Sequence, residues 1–302
     1  MTVIDWLTEP LQFDFMRRAL LVSAVAGLVC AVLSCWVTLI GWSLLGDAIA
    51  HAVLPGVVLS YIFGLPFAVG AFLFGGLAVT LIGVVRDTTR IKGDAAIGVV
   101  FTGLFALGLV LVSKTPSQID LNHILFGNVL GVSDSDIAQV LGIGALTLAV
   151  VFHKRRDLTL YAFDPVHAHA IGLRPKRLGA LLLMLLALTV VVALQAVGII
   201  LVSAMLITPG VTAYLLTDRF ERMLMIAVAV SVSSCVLGTY LSFHVDSSTG
   251  GTIVLCQAVV FAVVYLFAPR RGLLANRSKT RSRGRASATK RRNAISERGS
   301  VR

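Results

Sequence analysis

Apolar residues run along this chain in blocks of about 20, separated by short polar stretches, without the strict alternation of half-buried strands. A helix that crosses a membrane needs about 20 mostly apolar residues, because each adds 1.5 Å toward about 30 Å of hydrocarbon. The blocks predict spans over 19–40, 47–64, 66–85, 95–113, 135–152, 178–196, 199–217, 223–243 and 250–268. The stretch over 178–217 is too long for one span, and Gln195 and Gly198 near its middle place the break. The 41–64 stretch is the weakest, because Asp47, His51 and Pro55 interrupt it. It is either a full span, giving nine, or a broken or re-entrant segment, giving eight; nine is the favoured reading. The expected fold is an all-α polytopic membrane protein. Small residues within spans (Gly98, Gly103, Gly108, Gly142, Gly144) would allow close helix packing in lipid.

Composition agrees. Of 302 residues, 57% are hydrophobic and 14% charged, with mean hydropathy +0.91. A soluble domain carries about 45–50% apolar and about 25% charged residues. A soluble enzyme, a disordered chain and a disulfide-stapled secreted domain are excluded. The net charge of +11 is not spread over the chain. Residues 270–302 hold twelve Lys/Arg against one acid, Glu297, which accounts for the whole excess. The chain therefore divides into an N-terminal segment (1–18), a membrane domain (19–269) and a basic tail (270–302) expected to be disordered and cytoplasmic, near anionic lipid headgroups. No aromatic residue interrupts the basic run, so nucleic acid is not an expected partner. Cys30, Cys35, Cys235 and Cys256 all fall inside apolar blocks and read as small buried hydrophobes. The mixed, acidic first twelve residues lack the basic start of a cleavable signal peptide.

Orientation follows from the preference of Lys and Arg for the cytoplasmic side. The segments Arg86–Lys92, Lys154–Arg156, Arg174–Arg177, Arg219–Arg222 and the tail should all lie inside. Lys114–Ser133 and His244–Thr249 should face outward. Nine spans then put the N-terminus outside, against the pull of Arg17 and Arg18. Residues 120–132 are apolar but too short to span, and fit a short helix at the outer mouth. Residues 157–173 fit one short inner helix, with Asp164 as N-cap, Pro165 in the first helical position and Gly172 at the stop.

An ionisable side chain at mid-membrane costs at least about 2.5–3.5 kcal/mol. Away from span ends one cluster remains, Asp47 and His51. Four residues apart, they share a helix face. Carboxylate plus imidazole is half of a site for a divalent transition metal. An Asp–His pair that satisfies itself between helices, and a proton relay, fit the spacing as well. Pro55 removes the helical partner of the His51 carbonyl, and broken helices recur at transporter sites. The other histidines carry blander readings: His123, His153 and His244 as interfacial polar groups, His167 and His169 as surface residues two apart. Asp94 reads as a helix cap. No nucleotide-binding Gly-rich loop, nucleophile elbow or zinc-protease motif is present, so no catalytic residues and no enzyme activity are expected of this chain.

Several segments together resemble the membrane permease subunits of bacterial ABC-type uptake systems for manganese, iron or zinc. They are GDAIAHAVLPGVVLSYIFG at 46–64, DAAIGVVFTGLFALGLVLVS at 94–113, DLNHILFGNVLGV at 120–132, FDPVHAHAIGL at 163–173, VGIILVSAMLITPGVTAYLLT at 197–217 and SSTGGTIVL at 247–255. The resemblance runs from about Phe15 to Arg271, and its sharpest part is Gly-Asp-x-x-x-His-x-x-x-Pro-Gly. It implies that Asp47 and His51 are metal ligands along a pathway. It implies that 163–173 is a helix coupling the permease to its ATPase, through Phe163, Asp164, Pro165, His167, Ala168, Ile171, Gly172 and Leu173. It further implies a homodimer or a pairing with a homologous permease, cytoplasmic ATP-binding subunits that hydrolyse ATP, an extracytoplasmic metal-binding protein, and residence in the bacterial cytoplasmic membrane. No cofactor would be bound permanently; the divalent metal is cargo. Phe126-Gly127-Asn128 resembles the manganese and iron branch, which ranks manganese first, iron second and zinc third. The absence of nearby thiols argues against copper(I). The rival is a stand-alone secondary transporter or channel, for which the inner segment at 163–173 would have no use.

Overall fold

Each apolar block satisfies its own backbone hydrogen bonds as a helix, which a segment crossing hydrocarbon must do. The structure, a computed structural model, describes residues 9–42, 44–91, 93–114 and 131–268. Its helices are α1 (Asp14–Ile40), α2 (Leu45–Ala52), α3 (Leu54–Phe63), α4 (Phe67–Thr88), α5 (Gly93–Lys114), α6 (Asp134–His153), α7 (Arg155–Phe163), α8 (Pro165–Ala170), α9 (Pro175–Val197), α10 (Ile199–Leu216), α11 (Phe220–Val245) and α12 (Thr249–Phe267). Among the described residues nine helical stretches are long and apolar enough to cross a membrane, α2 and α3 together making one.

The breaks have local causes. Between α9 and α10, Gly198 sits at φ 85°, ψ 164°, a conformation that glycine adopts without steric penalty. Between α2 and α3 only Val53 interrupts the helix, and its backbone stays helical at φ −77°, ψ −14°. Leu45–Phe63 therefore has the length and composition of a full span, as the nine-span reading expects. The short helix expected within 157–173, capped by Asp164, is present as α8, and a further helix, α7, precedes it. Asp164, which precedes a proline, leaves helical geometry at φ −148°, ψ 88°. Its Oδ1 accepts hydrogen bonds from the backbone of Val166 (3.0 Å) and His167 (2.9 Å). Pro165 occupies the first turn, and Gly172 leaves the helix at φ 90°.

Contacts near helix ends sort the loops onto two sides. Trp36 packs edge-on against Phe220 with centroids 4.8 Å apart, Arg155 pairs with Glu221 at 3.5 Å, and Arg86 lies over the Trp42 ring. The ends near 40, 86, 155 and 220 thus share one side. On the other, Phe13 meets Phe243 at 5.8 Å and Arg18 pairs with Asp134 at 2.7 Å. These contacts agree with the alternation at the ends they join, and the first helix starts on the side opposite the basic loops near 86, 155 and 220. Arg17 and Arg18 are accommodated there because Arg18 meets Asp134, while Arg17 meets Asp14 and donates to the Leu11 carbonyl.

In lipid, helix association rests on close van der Waals fit rather than on removal of apolar surface from water. α1 is the hub, packed along α10 and α11. The tightest joint is between α3 and α4: a Cβ on Gly56 would stand 2.0 Å from the Gly70 carbonyl oxygen. Ser60 Oγ there accepts the Gly70 N–H at 3.0 Å, satisfying a donor of the first turn of α4. Gly108 and Gly144 abut Leu54 and Val29, as close packing requires. Gly98, Gly103 and Gly142 face open space instead. Cys30, Cys35 and Cys235 are buried and Cys256 is partly so, all free. The outer segment 120–130 with His123, the basic tail, residues 1–8, and the side chains of Asp94 and Gln195 lie outside the described residues.

Candidate functional site

Asp47 occupies the first turn of α2 and His51 its last. The helix face they share is fixed by the opposite one: Leu45, Ile49 and Ala52 are buried in the core, and Gly46 lies so close to Leu206 of α10 that a Cβ would come within 2.8 Å of it. α2 is thereby locked among α4, α5, α9 and α10. His51 Nε2 stands 3.5 Å from Asp47 Oδ1. The His51 ring meets Phe105 edge-on at 5.1 Å and Phe101 at 6.2 Å. Those phenylalanines lie in the middle of α5, so the His51 ring stands level with the centre of that helix.

Two features separate this pair from a self-satisfied core contact. The Asp47 side chain is 37% exposed and that of His51 25%, on a surface this chain does not cover. A bare carboxylate facing lipid is costly. In addition, His51 Nδ1 is buried with no hydrogen-bond partner among the described residues. The Ser203 hydroxyl of α10 stands beside the Asp47 carboxylate without a well-formed hydrogen bond to it.

The spacing suits a metal. Two donors 3.5 Å apart, each about 2.1 Å from an ion between them, subtend roughly 110° at that ion. That is close to a tetrahedral angle, so the separation is compatible with an ion shared by the two groups. Among the described residues no group of three His, Cys, Asp or Glu side chains comes together, and Asp47 with His51 gives two strong ligands there.

The sequence-expected inner residues fall elsewhere, on the loop side. Phe163, Val166 and Ile171 are exposed, Ala168 is buried against neighbouring turns, and His167 and His169 lie in the last turn of α8. α8 packs mainly against α7 and α9, and Val166 and Ile171 at its ends are exposed. His153 ends α6, and His244, in the last turn of α11, packs edge-on against Phe243. Sequence reasoning did not find Ser203, Phe101 or Phe105. A serine or phenylalanine in an apolar helix carries no local signal, and only packing brings these three to α2.

Comparison with known proteins supplies the context. A family model described as the ABC 3 transport family matches residues 12–268. The manganese transport system membrane protein MntB of Synechocystis is 59% identical over 92% of this chain and 90% of its own length. The chelated iron transport system membrane protein YfeD of Yersinia pestis is 50% identical over 86% of this chain and 88% of its own. Among solved structures, PsaBC from Streptococcus pneumoniae in complex with Fab superposes with a TM-score of 0.81 at 38% identity, over 89% of this chain and 98% of that one.

Proposed function

The chain belongs to the ABC 3 transport family, and on that premise we propose that it is the permease subunit of an ATP-driven importer of a divalent transition metal. Manganese ranks first, iron second and zinc third, in keeping with relatives named for manganese and iron transport. The reading is carried by the Asp47–His51 pair, which has the separation an ion requires and is left uncovered by its own chain. Two ligands do not hold a divalent ion in a low-dielectric setting. A second permease, of this chain or a homologue, facing the first across the pair would supply a second carboxylate and imidazole. Two carboxylates neutralise the ion, and both imidazoles stay neutral. Binding is modest by design, because an ion held too tightly cannot leave.

ATP hydrolysis is the work of separate cytoplasmic subunits, and an extracytoplasmic binding protein delivers the ion. The contact with the ATPase is the segment from Phe163 to Leu173, on the side of the basic loops. Val166 is 80% exposed on a helix capped by Asp164, a rigid apolar knob for a groove on the partner. Motion pressed onto α8 passes to α7, which packs on α1 and α9. By the positive-inside preference the basic sequence after residue 269 is expected on the cytoplasmic side.

Two experiments test this reading. Val166→Asp is expected to lower retention of the ATPase on the purified permease at least about tenfold, since it would place a carboxylate in an apolar contact. Unchanged retention would remove α8 from the docking surface. Asp164→Ala loses a helix cap worth about 1 kcal/mol and should give a milder version of the same defect. Separately, in cells lacking this chain, manganese content should fall first when manganese, iron and zinc are measured together. A fall in zinc alone would reverse the ranking.

A further inference from the structure

The His51 imidazole is flanked from α5 by two phenyl rings. Phe105 meets it at 76° with centroids 5.1 Å apart, and Phe101, one turn earlier, meets it at 40° and 6.2 Å. Residues four apart share a helix face, so one stripe of α5 presents both rings to His51. The level of that stripe is fixed by its neighbours. Leu104 joins Ala52 and Ala78 in a small buried cluster, with Phe74 and Val100 packed against it. One turn on, Gly108 lies so close to Leu54 that a Cβ would stand 2.9 Å from the leucine side chain. α5 therefore cannot slide along α2 and α3 without opening these contacts, and both rings stay beside His51, partly buried. On the α10 side the pair meets an oxygen instead, the Ser203 hydroxyl beside the Asp47 carboxylate.

We propose that Phe101 and Phe105 are specificity-determining residues that turn away magnesium and calcium. This rests on the reading of Asp47 and His51 as ligands of a transported divalent ion. A phenyl ring has no O–H, N–H or carbonyl, so it neither replaces a water of the ion nor holds one in place. An ion shared by the pair gives up water on the side of α5 and takes an imidazole nitrogen in return. Magnesium dehydrates reluctantly and keeps several waters, and calcium gathers about 6–8 oxygens. Imidazole is a good ligand for transition ions, whereas these two prefer carboxylate, carbonyl and water. The Asp47 carboxylate alone would not separate the two classes, since it suits both. The separation comes from the nitrogen and from the dry aromatic wall around it.

The test reads a ratio within each protein, so expression level does not enter it. Cells lacking this chain are complemented with the wild type or a variant. Radioactive manganese uptake is followed while magnesium or calcium is raised, and the half-inhibiting concentration is divided by the manganese KM. Phe105→Ser makes room for water and adds a hydroxyl beside His51, and Phe101→Ser does the same one turn away. Each should lower the ratio at least about tenfold, the lower end of what changing an outer-shell group does to metal affinity. If one serine variant carries no manganese, the other gives the result. Phe105→Leu and Phe101→Leu keep carbon at the same places and should leave the ratio close to that of the wild type. An unchanged ratio in the serine variants overturns the inference. So does an equal fall in the serine and leucine variants, which would make ring packing rather than dryness the cause. A wild-type chain through which no manganese enters overturns the importer reading itself.

Discussion

Asp47→Ala and His51→Ala are each expected to lower metal uptake at least about 100-fold while the permease still reaches the membrane. Removing a group that merely orients a metal ligand already costs about 10–100-fold, so losing a direct ligand should cost no less. The variants should fold, because both side chains face a surface their own chain leaves partly open while Leu45, Ile49 and Ala52 hold α2 from behind. Asp47→Asn separates charge from shape. It keeps the size and one oxygen but cannot neutralise a doubly charged ion, and it should fail nearly as badly as alanine. Ser203→Ala removes only a neighbouring hydroxyl and should cost less than about tenfold. Uptake is read as radioactive manganese accumulated by cells expressing each variant at matched levels. Near-normal accumulation with Asp47→Ala or His51→Ala would remove the pair from the ion's path.

The second large effect is structural. Gly56→Ala should destabilise the protein by about 3 kcal/mol, because the new methyl group would occupy the position of the Gly70 carbonyl. Neither partner can give way cheaply, since both are backbone. The Ser60–Gly70 hydrogen bond at the same crossing would go with it. The melting point in detergent should fall by roughly 10 °C. Gly76→Ala is the control on α4: its Cβ would meet nothing within 4 Å, and alanine is the better helix former, so stability should hold or rise slightly. Equal melting points for the two variants would mean that the α3–α4 contact is looser than described.

Local chemistry in the sequence located much of this. Apolar block length gives the nine crossings, Gly198 the break in the longest block, and Asp164 with Pro165 and Gly172 the start and stop of α8. Each is written within a few neighbouring residues. What escaped depends on distant partners. Arg17 and Arg18 pulled against the alternation of the later loops, and their local sequence does not show that Asp134, far along the chain, pairs with Arg18. The helix ahead of Asp164 was not anticipated, because the capping signals at 164–172 mark only the helix that follows them. The Asp–His spacing located the candidate site, but its level along α5 and its open face came only from contacts with α5 and α10.

The Arg18–Asp134 pairing also bears on biogenesis. A ribosome emits the first helix long before residue 134, so the nascent hairpins carry Arg17 and Arg18 with Asp5, Glu9 and Asp14 nearby in sequence but without Asp134, the partner of Arg18 in the folded chain. During that interval the charge preference of the translocon works against the final arrangement. Commitment of the first helix is therefore tied to emergence of α6, and a chain truncated before it should show mixed topology in a glycosylation or alkaline phosphatase reporter assay.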